Sequence, residues 1–155
     1  MLSLLAAGGA FAAMQGCGMV ARILLAMLAD RTGNTARNLV VQAFLAAGAI
    51  TGLALLPAGA GYRALLLLTG LCGFLGASWN GIVMAEIARL VPPAKISEAT
   101  SGCTLVIFCG YTVGPAGFAA LVGRSADWRL AFLLVAAQLA LAGLAVGAVL
   151  LRRRR

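Results

Sequence analysis

Two ionisable side chains, Arg22 and Glu86, stand inside long apolar stretches of this 155-residue chain. Each needs a physical reason, because an ionised group at the centre of an apolar span costs about 2.5–3.5 kcal/mol on insertion scales. Arg22 lies six residues before its apolar run ends at Leu28, roughly 9–10 Å at about 1.5 Å per residue. Glu86 lies at a similar depth in a later run. The two can pair, or both can join Asp30, Arg31 and Arg89 in a charge cluster at one membrane face. Glu86 and Arg89 are three apart, so they can also meet on one helix face. Snorkelling of Arg22 toward the headgroups is the plainer alternative.

The uncharged polar groups near the middle of their runs are Gln15, Asn80, Tyr111, Thr112 and Gln138, with Trp79 beside Asn80. Hydrogen-bonding groups without charge, together with an aromatic ring, suit an organic solute of modest polarity. Bonding between helices is the competing role for each. No carboxylate stands at mid-depth, so a proton or other coupling ion cannot be read here. The chain has no histidine. Cys17, Cys72, Cys103 and Cys109 all lie in apolar runs without a C-x-x-C, which supports neither a metal site nor a disulfide framework. No nucleophile–base pair or phosphate loop appears, so an enzyme is disfavoured and no cofactor is expected.

The elements that must position these groups are five apolar runs, roughly 2–28, 39–56, 64–90, 100–122 and 130–151. Each has the length an α-helix needs to cross about 30 Å of hydrocarbon, and none carries a polar stripe at helical period. Lipid offers the backbone no hydrogen bonds, so self-satisfied helices are required. The fold class is all-α, a polytopic transmembrane bundle of five spans forming a single domain. With 63% hydrophobic residues, 10% charged and a mean hydropathy of +1.03, there is no room for a soluble domain. The net charge of +8 comes mostly from loops and the tail Arg152, Arg153, Arg154 and Arg155, which points to membrane topology rather than to nucleic acid. The chain starts apolar at Leu2 without a basic region, so a cleaved signal peptide is not expected.

Five spans put the termini on opposite sides. Arg31, Arg37, Arg89, Lys95 and the four tail arginines share one side, against Arg63, Arg124 and Arg129 on the other. This excess places the 30–38 and 91–99 loops and the C-terminus in the cytoplasm. The expected location is a cell membrane, taken as the bacterial inner membrane, with Tyr62 and Trp128 at the outer interface.

Three local patterns carry more. The first loop reads Leu28-Ala-Asp30-Arg31-Thr-Gly33-Asn34-Thr-Ala-Arg37: an acid and a base at a helix end, a turning glycine and a further base. The fourth run holds Gly110-Tyr-Thr-Val-Gly114-Pro115-Ala-Gly117, where Pro removes one backbone bond and Gly removes bulk, so the helix is expected to bend and to let a neighbour approach closely. The third run ends Trp79-Asn80-Gly81 … Ala85-Glu86-Ile-Ala-Arg89 … Val91-Pro92-Pro93. Further small-residue spacings, Gly8/Ala12/Gly16, Gly48/Gly52, Gly70/Gly73/Gly76 and Gly143/Gly147, read as packing seams.

Together these resemble the C-terminal part of a major facilitator superfamily transporter, helices eight to twelve in order. The loop is similar to the family's Asp-Arg-x-Gly motif, but Ala26 stands where that pattern has Gly and Asn34 where it has a base, with Arg37 as the nearest substitute. The resemblance covers the whole chain and under half of the family's length. It implies a partner, the N-terminal six helices and the seventh, and a chain that is one piece of such a transporter. It further implies Gln15, Trp79, Asn80 and Tyr111 as substrate-facing, Gly110, Gly114, Pro115 and Gly117 as a helix kink, and Arg22, Asp30, Arg31, Gly33, Arg37, Glu86 and Arg89 as a cytoplasmic gating cluster. The implied activity is secondary active transport of a small organic solute by alternating access. The alternatives are a non-transporting helical membrane subunit and a small multidrug exporter. The latter would want a buried carboxylate in the first span, which has none before Asp30.

Overall fold

The computed structural model describes residues 4–57 and 59–152, so the start of the first run and the tail arginines at 153–155 lie outside the described residues. Among the described residues there is no strand. Six α-helices run in order: α1 (Leu4–Thr32), α2 (Thr35–Ala54), α3 (Tyr62–Gly76), α4 (Trp79–Leu90), α5 (Ile96–Ser125) and α6 (Trp128–Arg152), with a 3-10 turn over Pro93–Lys95. α3 and α4 together form one span, Tyr62–Leu90, which gives five helical segments long and apolar enough to cross a membrane. They make the chain a multi-pass membrane helix bundle.

Local chemistry sets the helix ends. Gly33 takes a left-handed φ of +61°, and its N–H reaches back to the Ala29 carbonyl at 3.1 Å, closing α1. Asn34 then opens α2: its side-chain oxygen accepts from the Arg37 N–H at 3.3 Å. Asn38 Nδ2 donates to Thr32 Oγ1 at 2.6 Å and ties the two helix ends together. The Pro92-Pro93 pair follows the end of α4, where no further helical N–H can be supplied. Asp127 starts α6 by accepting from the Arg129 N–H at 2.8 Å.

Packing follows the rule of a membrane rather than of water. Among the described residues, nine of the eleven buried apolar ones are alanine, with Leu75 and Ile82 the two larger ones, while leucines and phenylalanines cover the outside. Small residues inside let backbones approach, which is what holds helices where hydrocarbon surrounds them on all sides. α1 and α3 meet most closely. A Cβ on Gly73 would fall on the Met14 carbonyl, one on Gly18 would lie 2.9 Å from Ala77 Cβ, and one on Gly70 would lie 3.3 Å from Cys17 Sγ. α2 packs on α6 through Gly143, against Ala43 and Phe44. α2 also packs on α3, where Ala46, Ala49 and Leu75 form the buried centre.

α5 stands apart from this centre. None of its residues is buried, and it is attached through α4, α6 and the preceding turn. Phe118 packs on Trp128 and Phe132, with ring centroids 6.1 and 5.3 Å away.

Candidate functional site at the broken third span

The third span is interrupted halfway. Ala77 (φ −98°, ψ −5°) and Ser78 (φ −97°, ψ −9°) leave the helix between α3 and α4. A break frees backbone carbonyls that an uninterrupted helix would satisfy, and at membrane depth such backbone persists only where protein or a watery cavity meets it. Here two neighbouring helices supply the donors. Arg22 Nε of α1 donates to the Ala77 carbonyl at 3.0 Å. Gln42 Nε2 of α2 donates to the Leu75 carbonyl at 2.7 Å and to Ser78 Oγ at 2.6 Å. Ser78 Oγ donates its own O–H to the Phe74 carbonyl at 2.8 Å. Gln42 and Ser78 are 5% and 1% exposed, so this part of the network is sealed from the surroundings.

On the α5 side of the break, Asn80 Nδ2 donates to Tyr111 Oη at 2.9 Å. Phe108 stands edge-on to Tyr111 with centroids 6.1 Å apart. The Gln42 Oε1 and Asn80 Oδ1 oxygens are buried and have no hydrogen-bond partner among the described residues. Arg22, Gln42, Ser78, Asn80 and Tyr111 therefore gather polar atoms from four helices around one discontinuity.

The other residues singled out from the sequence fall elsewhere. Gln15 is exposed on α1 and shares no hydrogen bond with the Asn80–Tyr111 pair. Trp79 is next to Asn80 but about 100° round α4. It lines a different cavity, of about 240 Å³, shared with Gln42, Leu75, Val83, Leu139 and Gly143. Gln138 lines a wider groove of about 620 Å³ between α5 and α6, together with Gly114, Pro115 and Gly117.

The charges divide into three groups. Arg22 does not meet Glu86: its Nε is held by the backbone of the break. The reason is reach, because α1 continues to Thr32 and Arg22 lies deeper than the apolar run implied. Glu86 instead faces Arg89 at 3.9 Å, one turn on, and Arg89 Nη1 also donates to Thr35 Oγ1 at 3.1 Å, linking α4 to the start of α2. Asp30, Arg31 and Arg37 are exposed around Gly33 at the α1–α2 turn and form no ion pair among the described residues.

The glycine–proline array meets no close neighbour among the described residues. α5 runs through Pro115 as one helix, and a Cβ at Gly110, Gly114 or Gly117 would meet nothing within 4 Å. No helix presses against this face; the close approach occurs at Gly73 and Gly18 instead. Likewise Gly8, Gly16, Gly48 and Gly76 face open space, while Gly52, Gly143 and Gly147 do contact a neighbour.

Sequence reasoning passed over Gln42 and Ser78. The signal was present in Gln42, an amide in the second apolar run, which by the cost argument applied to Arg22 also requires a partner. Among the described residues no three His, Cys, Asp or Glu side chains come together. Compared with known proteins, the chain matches no family model, no curated protein and no solved structure.

Proposed function

We propose that this chain is the C-terminal part of a secondary transporter of the major facilitator type, moving a small organic solute by alternating access, with its C-terminus in the cytoplasm. The observation that carries the reading is the break at Ala77–Ser78, with the Asn80–Tyr111 pair one turn away. Transporters commonly build their midplane sites on discontinuous helices, because an interrupted helix presents polar backbone and side chains where the rest of the membrane offers none. The order of the five spans, the Asp30–Gly33 turn and the uncharged Asn80 and Tyr111 groups agree with it. The exposed flank of α5 is the surface assigned to the complementary helices of the transporter.

A second reading, a helical subunit that docks a partner without transporting anything, draws support from the same unburied α5. Transport assays separate the two. The chain reconstituted alone is expected to move no solute. Together with its complementary helices it is expected to show saturable uptake that falls at least tenfold with Asn80→Ala. Tight assembly without uptake of any solute favours the subunit reading, and saturable uptake by the chain alone favours a small exporter.

A further inference from the structure

The chain has four acidic residues, and the structure accounts for all of them. Glu86 faces Arg89. Asp127 starts α6, and Glu98 sits in the first turn of α5. Asp30 is exposed two turns further along α1 than Arg22, roughly 12 Å away along the axis. None of them neutralises Arg22.

Arg22 is not at the end of its helix either. α1 continues ten residues beyond it to Thr32, roughly 15 Å. The 3.0 Å bond from Nε to the Ala77 carbonyl fixes the guanidinium at the level of the break, near the middle of the span Tyr62–Leu90. A side chain held there has not snorkelled to the headgroups. A guanidinium carries five N–H donors, and this bond uses the one on Nε. The N–H groups on the two terminal nitrogens remain, on an exposed side chain, with a full positive charge.

The adjoining pair adds a second donor. Tyr111 Oη accepts from Asn80, so its own O–H is free to donate, and Tyr111 is 54% exposed. Asn80 lies three residues past Ala77, about 5 Å along the axis. The acceptor in this pair, Asn80 Oδ1, is turned inward and buried. Arg22 and Tyr111 thus each keep a donor beside the break, a fixed cation and a hydroxyl, and no carboxylate among the described residues pairs with either.

We infer that the solute recognised here is an organic anion, a carboxylate or a group of similar geometry, and that Arg22 is the specificity-determining residue. The inference rests on the transport reading above and narrows it: the uncharged groups alone suit a neutral solute, and Arg22 changes the sign of the preference. An anionic lipid headgroup is not the ligand, since it would have to leave the interface by roughly 15 Å, ten residues of helix, to reach the guanidinium. Hydrogen bonds to charged groups contribute about 1.5–3 kcal/mol each, which converts to a preference of about tenfold to a hundredfold for the anion over a neutral isostere.

The test is equilibrium binding of three probes sharing one ring, benzoate, benzamide and benzylammonium, to the purified chain in lipid nanodiscs. Benzoate is expected to bind at least tenfold more tightly than benzamide, with benzylammonium weakest. Arg22→Gln, which keeps an amide to donate to Ala77, is expected to erase the difference between benzoate and benzamide. Arg22→Lys, which keeps the charge, is expected to retain a reduced preference, and carries the test if the glutamine variant does not fold. Arg63→Gln, a surface cation, is expected to change nothing. Equal binding of the three probes, or a benzoate preference that survives Arg22→Gln or is lost with Arg63→Gln, overturns the inference. Transport by the assembled protein reads the other question. Arg22-dependent benzoate binding without transport removes the transport reading and leaves the anion site. Transport without a charge preference removes the anion site alone.

Discussion

Gln42 and Ser78, 36 positions apart, are joined by a 2.6 Å hydrogen bond that seals the buried side of an interrupted membrane helix. The same amide nitrogen holds the Leu75 carbonyl at 2.7 Å, so one side chain of α2 serves both sides of the break. Arg22 does the equivalent from α1. The third span is thus stabilised in its broken form by its neighbours, which serve the Leu75 and Ala77 carbonyls, and by Ser78, which serves that of Phe74.

Replacing Gln42 should therefore loosen the break rather than empty the core. Interhelical hydrogen bonds in membranes contribute about 0.6 kcal/mol on average and up to about 1.7. Gln42→Leu loses two of them but also removes the unpartnered Oε1, so a net loss of about 1 kcal/mol is expected. Reversible unfolding in mixed micelles measures it. No loss at all would mean that the break closes into a continuous helix in the variant.

The glycines make a sharper contrast. Gly73→Ala places a methyl on the Met14 backbone, which cannot move without shifting α1, and overpacking of this kind costs about 1–3 kcal/mol. Gly110→Ala has open space and gains helix propensity of up to about 1 kcal/mol. The first variant should unfold at lower denaturant and the second at equal or higher denaturant in the same titration. Reversed signs would contradict the α1–α3 packing.

Topology is expected to put the 30–38 and 91–99 loops and the C-terminus in the cytoplasm, from the excess of arginine and lysine on that side. A periplasmic-active phosphatase fused after Arg155 should be inactive, and a cytoplasm-active reporter at the same place active. An active phosphatase would reverse the orientation.

Asp30 sits at the C-terminal end of α1, where a carboxylate opposes the helix dipole. It forms no ion pair among the described residues. Under the proposed function its partner is expected on the complementary helices, as the resemblance of the Asp30–Gly33 turn implies. If the proposed transport function holds, Asp30→Asn in the chain assembled with its complementary helices should cut uptake at least tenfold at equal membrane abundance, and Arg37→Ala should do less. Uptake at the wild-type rate in Asp30→Asn would reduce the turn to a loop between two helices.

Run length and composition were enough to read five membrane-spanning segments, since lipid leaves the backbone few options. The turn at Gly33 was also legible, because a glycine between a charged helix end and a further base marks a reversal of the chain; the Asn34 cap that opens α2 came only with the structure. The break at Ala77–Ser78 was not. No proline marks it, its residues are small, and its donors come from Arg22 and Gln42, 55 and 33–36 positions away. Arg22 stood out by its cost, but its partner is a backbone carbonyl, which reasoning about charge pairs does not look for. Glycine spacing had a similar limit. It shows which residues permit close packing, but Gly73 and Gly110 become different only once a second helix is placed beside one of them.

The central claim is that the polar atoms around the break line a solute path rather than a dry helix contact, and cysteine accessibility in native membranes tests it most directly. In a chain whose four native cysteines are replaced by alanine, Tyr111→Cys should react with a membrane-impermeant, charged thiol reagent. Val113→Cys, about 200° further round α5, should stay unreactive in lipid. Added benzoate should slow the reaction at position 111. Equal inertness at both positions would contradict the account, because a site sealed from water on every side cannot pass a solute across the membrane.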